Sequence, residues 1–364
     1  MHNRVVVGLL ALALLVALGG GVLVWRLLSA SAYESAVSAM PAATLRATYT
    51  DWSQVRSMAD GAALDGESTV AEVDAFVRRA YDQDLTSTSA LFDATSAMDD
   101  TYGFSVLDAS WEMYGQGEGG AVVALSVPDS VDLDEVEANL RSLGYDAPAD
   151  GAGSGGVWAG SADLLAQTDP SLTPVMTNVV VLHDEHLVLM SDNSAYASSS
   201  ADVVRGDSAN LGEETDGVDD LVDLAEEPAS AVLFASDFAC EALSMATTDE
   251  EEQVAADQLV DRAGGVSPLA GLVMALGRDH ALTVGMYFES SDQAAENLRP
   301  RVELASGEAV GQGGSFADRF EVASGKESGN TVVLDLQPVG SKSDRRESTL
   351  LSDLSSGPVV FAAC

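Results

Sequence analysis

The stretch LAGLVMALGRDHALTVGMYF, residues 269–288, decides the fold class. Two apolar arms, Leu269–Leu276 and Leu282–Phe288, flank Gly277-Arg278-Asp279-His280, and a short polar connection with a glycine between such arms predicts a β-hairpin. Before it stand a strand over Ala231–Ser236 and a helix reaching Ala263, which Thr248 and Glu251 open as a capping box. After it come a helix near Asp292–Leu304, in which Pro300 must kink or restart the turn, and a second hairpin. That hairpin joins Arg319–Ala323 to Thr331–Gln337 across Gly325–Asn330. A helix over Ser343–Leu354 and a final strand over Pro358–Ala363 complete this half.

The preceding half gives the same order. Thr44–Asp51 reads as a strand. Thr69–Asp82 reads as a helix, with Val70, Val73, Phe76, Val77, Ala80 and Tyr81 at helical spacing. A further helix is expected over Ser89–Asp99. Strand-like Phe104–Tyr114 and Ala121–Val127 flank Gly115–Gly120. Asp132 and Glu135 open a helix that turns Leu133, Val136, Leu140 and Leu143 inward and ends at Gly144. After a flexible loop over Gly151–Gly156, a hairpin joins Val179–Leu182 to Leu187–Met190, and Ser194–Arg205 is helical. Asn139-Leu140-Arg141 and Asn297-Leu298-Arg299 fall on corresponding helices. The pattern predicts an α+β ectodomain of mixed or antiparallel sheets with helices on one face, in two halves of the kind a duplication leaves. The units are 44–206 and 230–364, with 207–229 as an acidic connection.

Charge excludes one function class. The chain has 364 residues and a formal net charge of −41, with 58 acids against 17 bases. Such a surface repels a phosphate backbone, so no nucleic-acid partner is expected. With 46% hydrophobic residues and 10 prolines, the chain has apolar material for a packed core.

Residues 5–28 form an apolar run broken only by Arg26, and Val5–Trp25 carries no charge. At about 1.5 Å per residue that uncharged part reaches roughly 30 Å, the hydrocarbon thickness of a bilayer. The run is expected to be an uncleaved transmembrane helix, with residues 1–4 as a cytoplasmic tip, 29–43 as a juxtamembrane segment and the remainder outside the cell membrane. The alternative is a signal peptide cut after Ala32, where Ala30-Ser31-Ala32 has the small-x-small form, leaving a secreted protein. All 58 acids lie beyond the run, the first being Glu34.

Cys240 and Cys364 are the only cysteines, and an even count outside the membrane predicts a disulfide. His183-Asp184-Glu185-His186 sits between two apolar arms. Its bland reading is a hairpin turn; its functional reading is a divalent-metal site on His183 and His186. Asp249–Glu252 reads as a helix first turn, and Asp129, Asp132, Asp134 and Glu135 lack the central glycine of a calcium loop. No nucleophile elbow, phosphate loop or H-E-x-x-H helix is present, so no catalytic residue and no organic cofactor are assigned.

Thr44-Leu45-Arg46 with Asp51-Trp52, the run Gly264–Gly271, Gly311-Gln312-Gly313-Gly314 and the ending Gly357–Cys364 resemble acidic, membrane-anchored or secreted proteins of high-GC actinobacteria. That resemblance implies no activity. The expectation is a single-pass envelope protein that acts as a binding module with a protein partner. The alternatives are an envelope enzyme of hydrolase type and a structural subunit of a membrane complex. A deep pocket holding a carboxylate of strongly raised pKa would mark the enzyme, and an exposed apolar patch the binding module.

Overall fold

The computed structural model describes residues 31–62, 64, 68–149 and 155–364. The expected cytoplasmic tip and transmembrane run, and most of the glycine loop at 151–156, lie outside the described residues. No helix among those described is long and apolar enough to cross a membrane.

The chain opens with α1 (Ala32–Ser38), β1 (Thr44–Thr50), α2 (Trp52–Met58), α3 (Val70–Asp82) and α4 (Thr95–Tyr102). Then come β2 (Trp111–Gly117), β3 (Gly120–Ser126), α5 (Leu133–Leu143), β4 (Val157–Ala159), α6 (Ala162–Thr168), β5 (Asn178–Leu182), β6 (Leu187–Ser191) and α7 (Ser194–Val204). The short α8 (Leu211–Glu214) and α9 (Val218–Leu224) lead to β7 (Ser230–Ala235), α10 (Phe238–Ala242), α11 (Glu250–Ala263), β8 (Gly271–Leu276) and β9 (Leu282–Tyr287). The chain closes with α12 (Ser291–Ala305), β10 (Phe320–Ser328), β11 (Thr331–Pro338), α13 (Lys342–Arg346) and α14 (Leu350–Ser356).

Local chemistry accounts for many boundaries. Thr69 and Glu72 close a capping box on α3, Asp132 caps α5, and Asp249 caps α11 in place of the expected Thr248, whose hydroxyl is turned back to Met245 O. Gly144 and Gly264 end α5 and α11 with φ of 105° and 110°, a backbone region where a side chain is strained.

The eleven strands of the described residues form one antiparallel sheet in the order β10-β11-β9-β8-β7-β1-β2-β3-β6-β5-β4. Outward from the β1–β7 seam the two directions match: three strands in a meander, then a hairpin whose second strand lies inside. The seam pairs Thr48 with Val232 and joins both halves into one sheet. The segment 207–229, expected as a connection, is itself folded, with Leu211, Val218 and Leu221 buried.

Helices cover both faces of the sheet, which corrects the expectation of one covered face. On the first face, Val123, Val188, Phe234, Met274, Val284 and Leu334 point into a core shared with Trp52, Phe76, Leu140 and Leu351. On the second, Ala47, Val122, Leu189, Leu233 and Val273 meet Tyr33 of α1, Ala197 of α7, Leu211 of α8 and Leu221 of α9. Strands such as β5, buried at every residue, need cover on both sides.

Five boundaries differ from expectation, the first in the β10–β11 hairpin, where residues 325–328, expected in the turn, are strand paired with β11. Residues 104–110 are turns, and β2 starts at Trp111. There Asp108 accepts from the Ser105 N–H at 2.9 Å and holds the chain out of the sheet. The expected helix over 89–99 becomes a 3-10 turn followed by α4, because Ser89 and the Ala90 N–H are bound by Glu112. The expected helix at 343–354 is two short ones. The expected final strand is a 3-10 turn at Val360–Ala362, buried whole. Helix α12 runs on through Pro300.

Candidate functional site

The matching strand orders allow the halves to be compared position by position, and they differ most on the second face. In the first half, β3, β5 and β6 present Val122, Ala124, Val180, Leu182 and Leu189 to that face, and α7 lies over them with Tyr196, Ala197 and Ala201 buried. In the second half the corresponding strands β9, β10 and β11 present Thr283, Lys326, Asp335 and Gln337 instead, with Val333 the buried apolar exception. The helices after β11 do not take the place of α7; Leu350, Leu351 and Leu354 of α14 join the opposite core. Helix α9 lies over β8 and β9, with Leu221 buried, and reaches the nearer side of β11.

What remains is an open groove of about 960 Å³ floored by β8, β9, β11 and β10 and walled by the end of α9 and the β8–β9 turn. Its size lies at the upper end of the range for ligand pockets. Asp223, Glu226, Glu227, Asp279 and Asp335 line it, against two cations, Arg278 and Lys326. Arg278 is engaged with the first half, donating from Nε to Gln54 Oε1 at 2.8 Å. Asp335 sits on the floor, accepting from Ser324 Oγ at 2.5 Å and Thr283 Oγ1 at 3.4 Å. One edge of the groove is β10, the outermost strand of the sheet, with residues 323–328 exposed.

A sequence signal for this groove exists. Strand β11 alternates Leu334, Asp335, Leu336, Gln337, the pattern of a face open to water, whereas Asn178–Leu182 is nearly continuously apolar. Which open face becomes a groove depends on the path of α9 and α14, which periodicity does not contain.

The residues assigned from sequence lie elsewhere. His183-Asp184-Glu185-His186 is the β5–β6 turn, and His186 takes a φ of 51°. The two imidazoles face different carboxylates: His183 Nε2 is 3.6 Å from Glu137 of α5, and His186 Nε2 is 3.4 Å from Asp129. Among the described residues, the one group that could share an ion is Asp134, Glu137 and His183, whose ligand atoms all lie within 4.8 Å of one another.

Cys240 and Cys364 form a disulfide with Cα atoms 5.6 Å apart. Beside it Arg301 of α12 is fully buried and donates to the carbonyls of Phe361 at 2.8 Å, Ala363 at 2.6 Å and Ser267 at 2.6 Å. Burial lowers its pKa to about 9. Arg301 therefore clamps the chain end that the disulfide ties.

Two carboxylate sites test the enzyme expectation. Glu112 is fully buried and accepts from Trp52 Nε1, Ser89 Oγ and the Ala90 N–H. Burial pushes its pKa up against the pull of those bonds. It contacts no groove; its chemistry is to hold the 89–94 turn on β2. A smaller pocket of about 150 Å³ holds Asp99 and Asp108 with Thr95, Ser96 and Ser105. Burial and then the Asp108 charge raise the Asp99 pKa. Both carboxylates are exposed, and the space suits waters or a small polar ligand.

The large apolar side chains exposed among the described residues are Tyr81, Val254 and Val339, on separate segments. The second-face groove is thus polar, and the expected apolar patch does not mark it.

No family model matches the chain, and no curated protein matches it. Among solved structures, crystal form I of TP0453 is similar at 8% identity with a TM-score of 0.40, covering 88% of this chain and 98% of that one. Crystal form III gives 8% and 0.39, covering 87% and 97%. A likeness at this level carries no activity across.

Proposed function

We propose that the protein is an extracytoplasmic binding module, held at the cell membrane by residues 5–28, which presents the second-face groove to a partner in the envelope. The observation that carries the binding reading is the contrast between the halves. The first half fills the second face with α7, and the second leaves the same face open and lined with charged groups. The extracytoplasmic placement is supported by the Cys240–Cys364 disulfide, since such bonds persist in oxidising compartments. The membrane placement rests on the uncharged run Val5–Trp25. The matching strand orders and the shared Asn-Leu-Arg at 139–141 and 297–299 favour an origin of the two halves by duplication.

Protease protection tests the placement. In intact cells stripped of any outer barrier, added protease should remove the body while a label at the N-terminus survives. The membrane fraction should retain the full chain through an alkaline wash. A body protected from protease, or a chain released by the wash, defeats this reading.

A further inference from the structure

The groove has a charge that selects its occupant. Five carboxylates line it against two cations, and one of those, Arg278, donates its Nε–H to Gln54. Carboxylates gathered in a concave site reinforce one another and draw cations more strongly than the same charges spread over a convex surface. The floor crosses four strands, about 14 Å at the usual strand spacing, so the groove exceeds what one small cation fills. Its outer margin is the edge strand β10, whose outward N–H and C=O groups have no neighbouring strand among the described residues. A bulge between Val322 and Ser324 divides that edge into residues 320–322 and 324–328. An extended peptide can enter across such an open edge and lay its side chains along the floor.

From these features we infer that the groove docks an extended, lysine- or arginine-bearing segment of a protein partner, its cations meeting Asp335 on the floor and Glu227 and Asp279 on the walls. This inference rests on the binding reading above and names the chemistry of the partner. Helix α7 fills the equivalent space in the first half with apolar side chains, and the polar floor of the second half rejects such a helix because Asp335 would be stripped of water. A cationic chain compensates that carboxylate.

The test uses the purified protein and a fluorescein-labelled decapeptide of alternating lysine and alanine, followed by anisotropy at about 150 mM salt, where distant surface charges are screened. Saturable binding is expected. The groove variant Glu227→Gln/Asp279→Asn/Asp335→Asn should weaken it tenfold or more. The charge-matched variant Glu250→Gln/Glu251→Gln/Asp257→Asn, on the exposed side of α11, should change it less than twofold. Ala323→Trp, which fills the groove without altering charge, should also abolish binding. Equal weakening by both triple variants would show diffuse attraction to an acidic surface and overturn the inference. So would undiminished binding to Ala323→Trp, no saturable binding, or self-association that the peptide disperses, which would make a second copy the occupant. Circular dichroism of each variant separates lost docking from lost folding. The protease experiment is independent, so a failed placement and a failed partner class are told apart.

Discussion

Removing the disulfide should destabilise the protein through its unfolded state. Cys240 and Cys364 are 124 residues apart in sequence, and closing a loop of that length lowers the entropy of the unfolded chain by an amount worth about 5 kcal/mol at 25 °C. The native end of the chain has other holds. Arg301 grips Phe361 and Ala363, the Val359 N–H donates to Leu243 O at 3.3 Å, and Gln312 Nε2 donates to Pro358 O at 3.0 Å. Phe361 is buried against Phe316 and Phe320, with ring centroids 5.2 and 6.4 Å away. The folded tail should therefore keep its place in Cys240→Ser/Cys364→Ser, and the loss should be about 3–5 kcal/mol, a large share of ordinary domain stability. Urea unfolding measures it. All four tryptophans, Trp25, Trp52, Trp111 and Trp158, precede Cys240 by 82 residues or more, so their fluorescence reports a region remote in sequence from the bond, while far-ultraviolet dichroism reports the whole sheet. Both curves should move together to lower urea, with a steeper slope because the unlinked chain exposes more surface. A loss under about 1 kcal/mol with an unchanged slope would refute the loop-entropy argument. A shift in dichroism without a shift in fluorescence would show that the β1–β7 seam does not couple the halves.

Arg301→Ala should cost about 3–5 kcal/mol, since it strands three carbonyls and opens a large void; urea unfolding reads this, and Arg301→Lys should rescue little because one ammonium cannot replace a forked guanidinium. Glu112 has a folded pKa raised by burial, so its contribution is present in full below its unfolded value and fades as pH rises through the folded one. The stability of the wild type relative to Glu112→Gln should accordingly increase as pH is lowered from 8 to about 4.5, and a difference that shrinks toward acid would show the opposite shift. Gly217→Ala would place a Cβ 2.4 Å from the Tyr287 ring at a φ of 79°, costing about 2–4 kcal/mol. Gly264→Ala, with a φ of 110° and nothing within 4 Å, should cost only the backbone share of about 1 kcal/mol; equal losses in thermal melts would deny the clash.

The elements legible in the sequence are those specified by neighbours. The hairpin across Gly277–His280, the cap at Asp132, the stop at Gly144 and the turn at His183–His186 need only local chemistry, while the α11 cap, expected at Thr248, falls one residue later at Asp249. The cysteine pair was legible by count. Segments governed by distant groups were not. Residues 89–91 look helical alone, but Glu112 captures their donors from β2. Residues 358–363 look like a strand, yet Arg301 takes two of their carbonyls. Helix α1 has few sequence marks beyond Ser31, whose side chain accepts from the Glu34 N–H; it is fixed by Tyr33 packing on Tyr49 at 4.9 Å. The groove is the extreme case. Its lining comes from four strands, a helix end and a turn, and only the polar alternation of β11 announces it.

The β1–β7 seam also sets the order in which the chain can fold. Hairpins β2–β3, β5–β6, β8–β9 and β10–β11 close over a few residues, but β1 meets β7 only when Thr48 finds Val232, a search across about half the chain. Such long-range pairings slow folding because loop entropy must be lost before contacts compensate it. Until β7 has been synthesised, the inner edge of the first half is an open ladder of backbone donors and acceptors, and the nascent protein is most exposed to mispairing there. A chain severed between α8 and α9 should therefore yield two fragments that aggregate separately and fold when mixed.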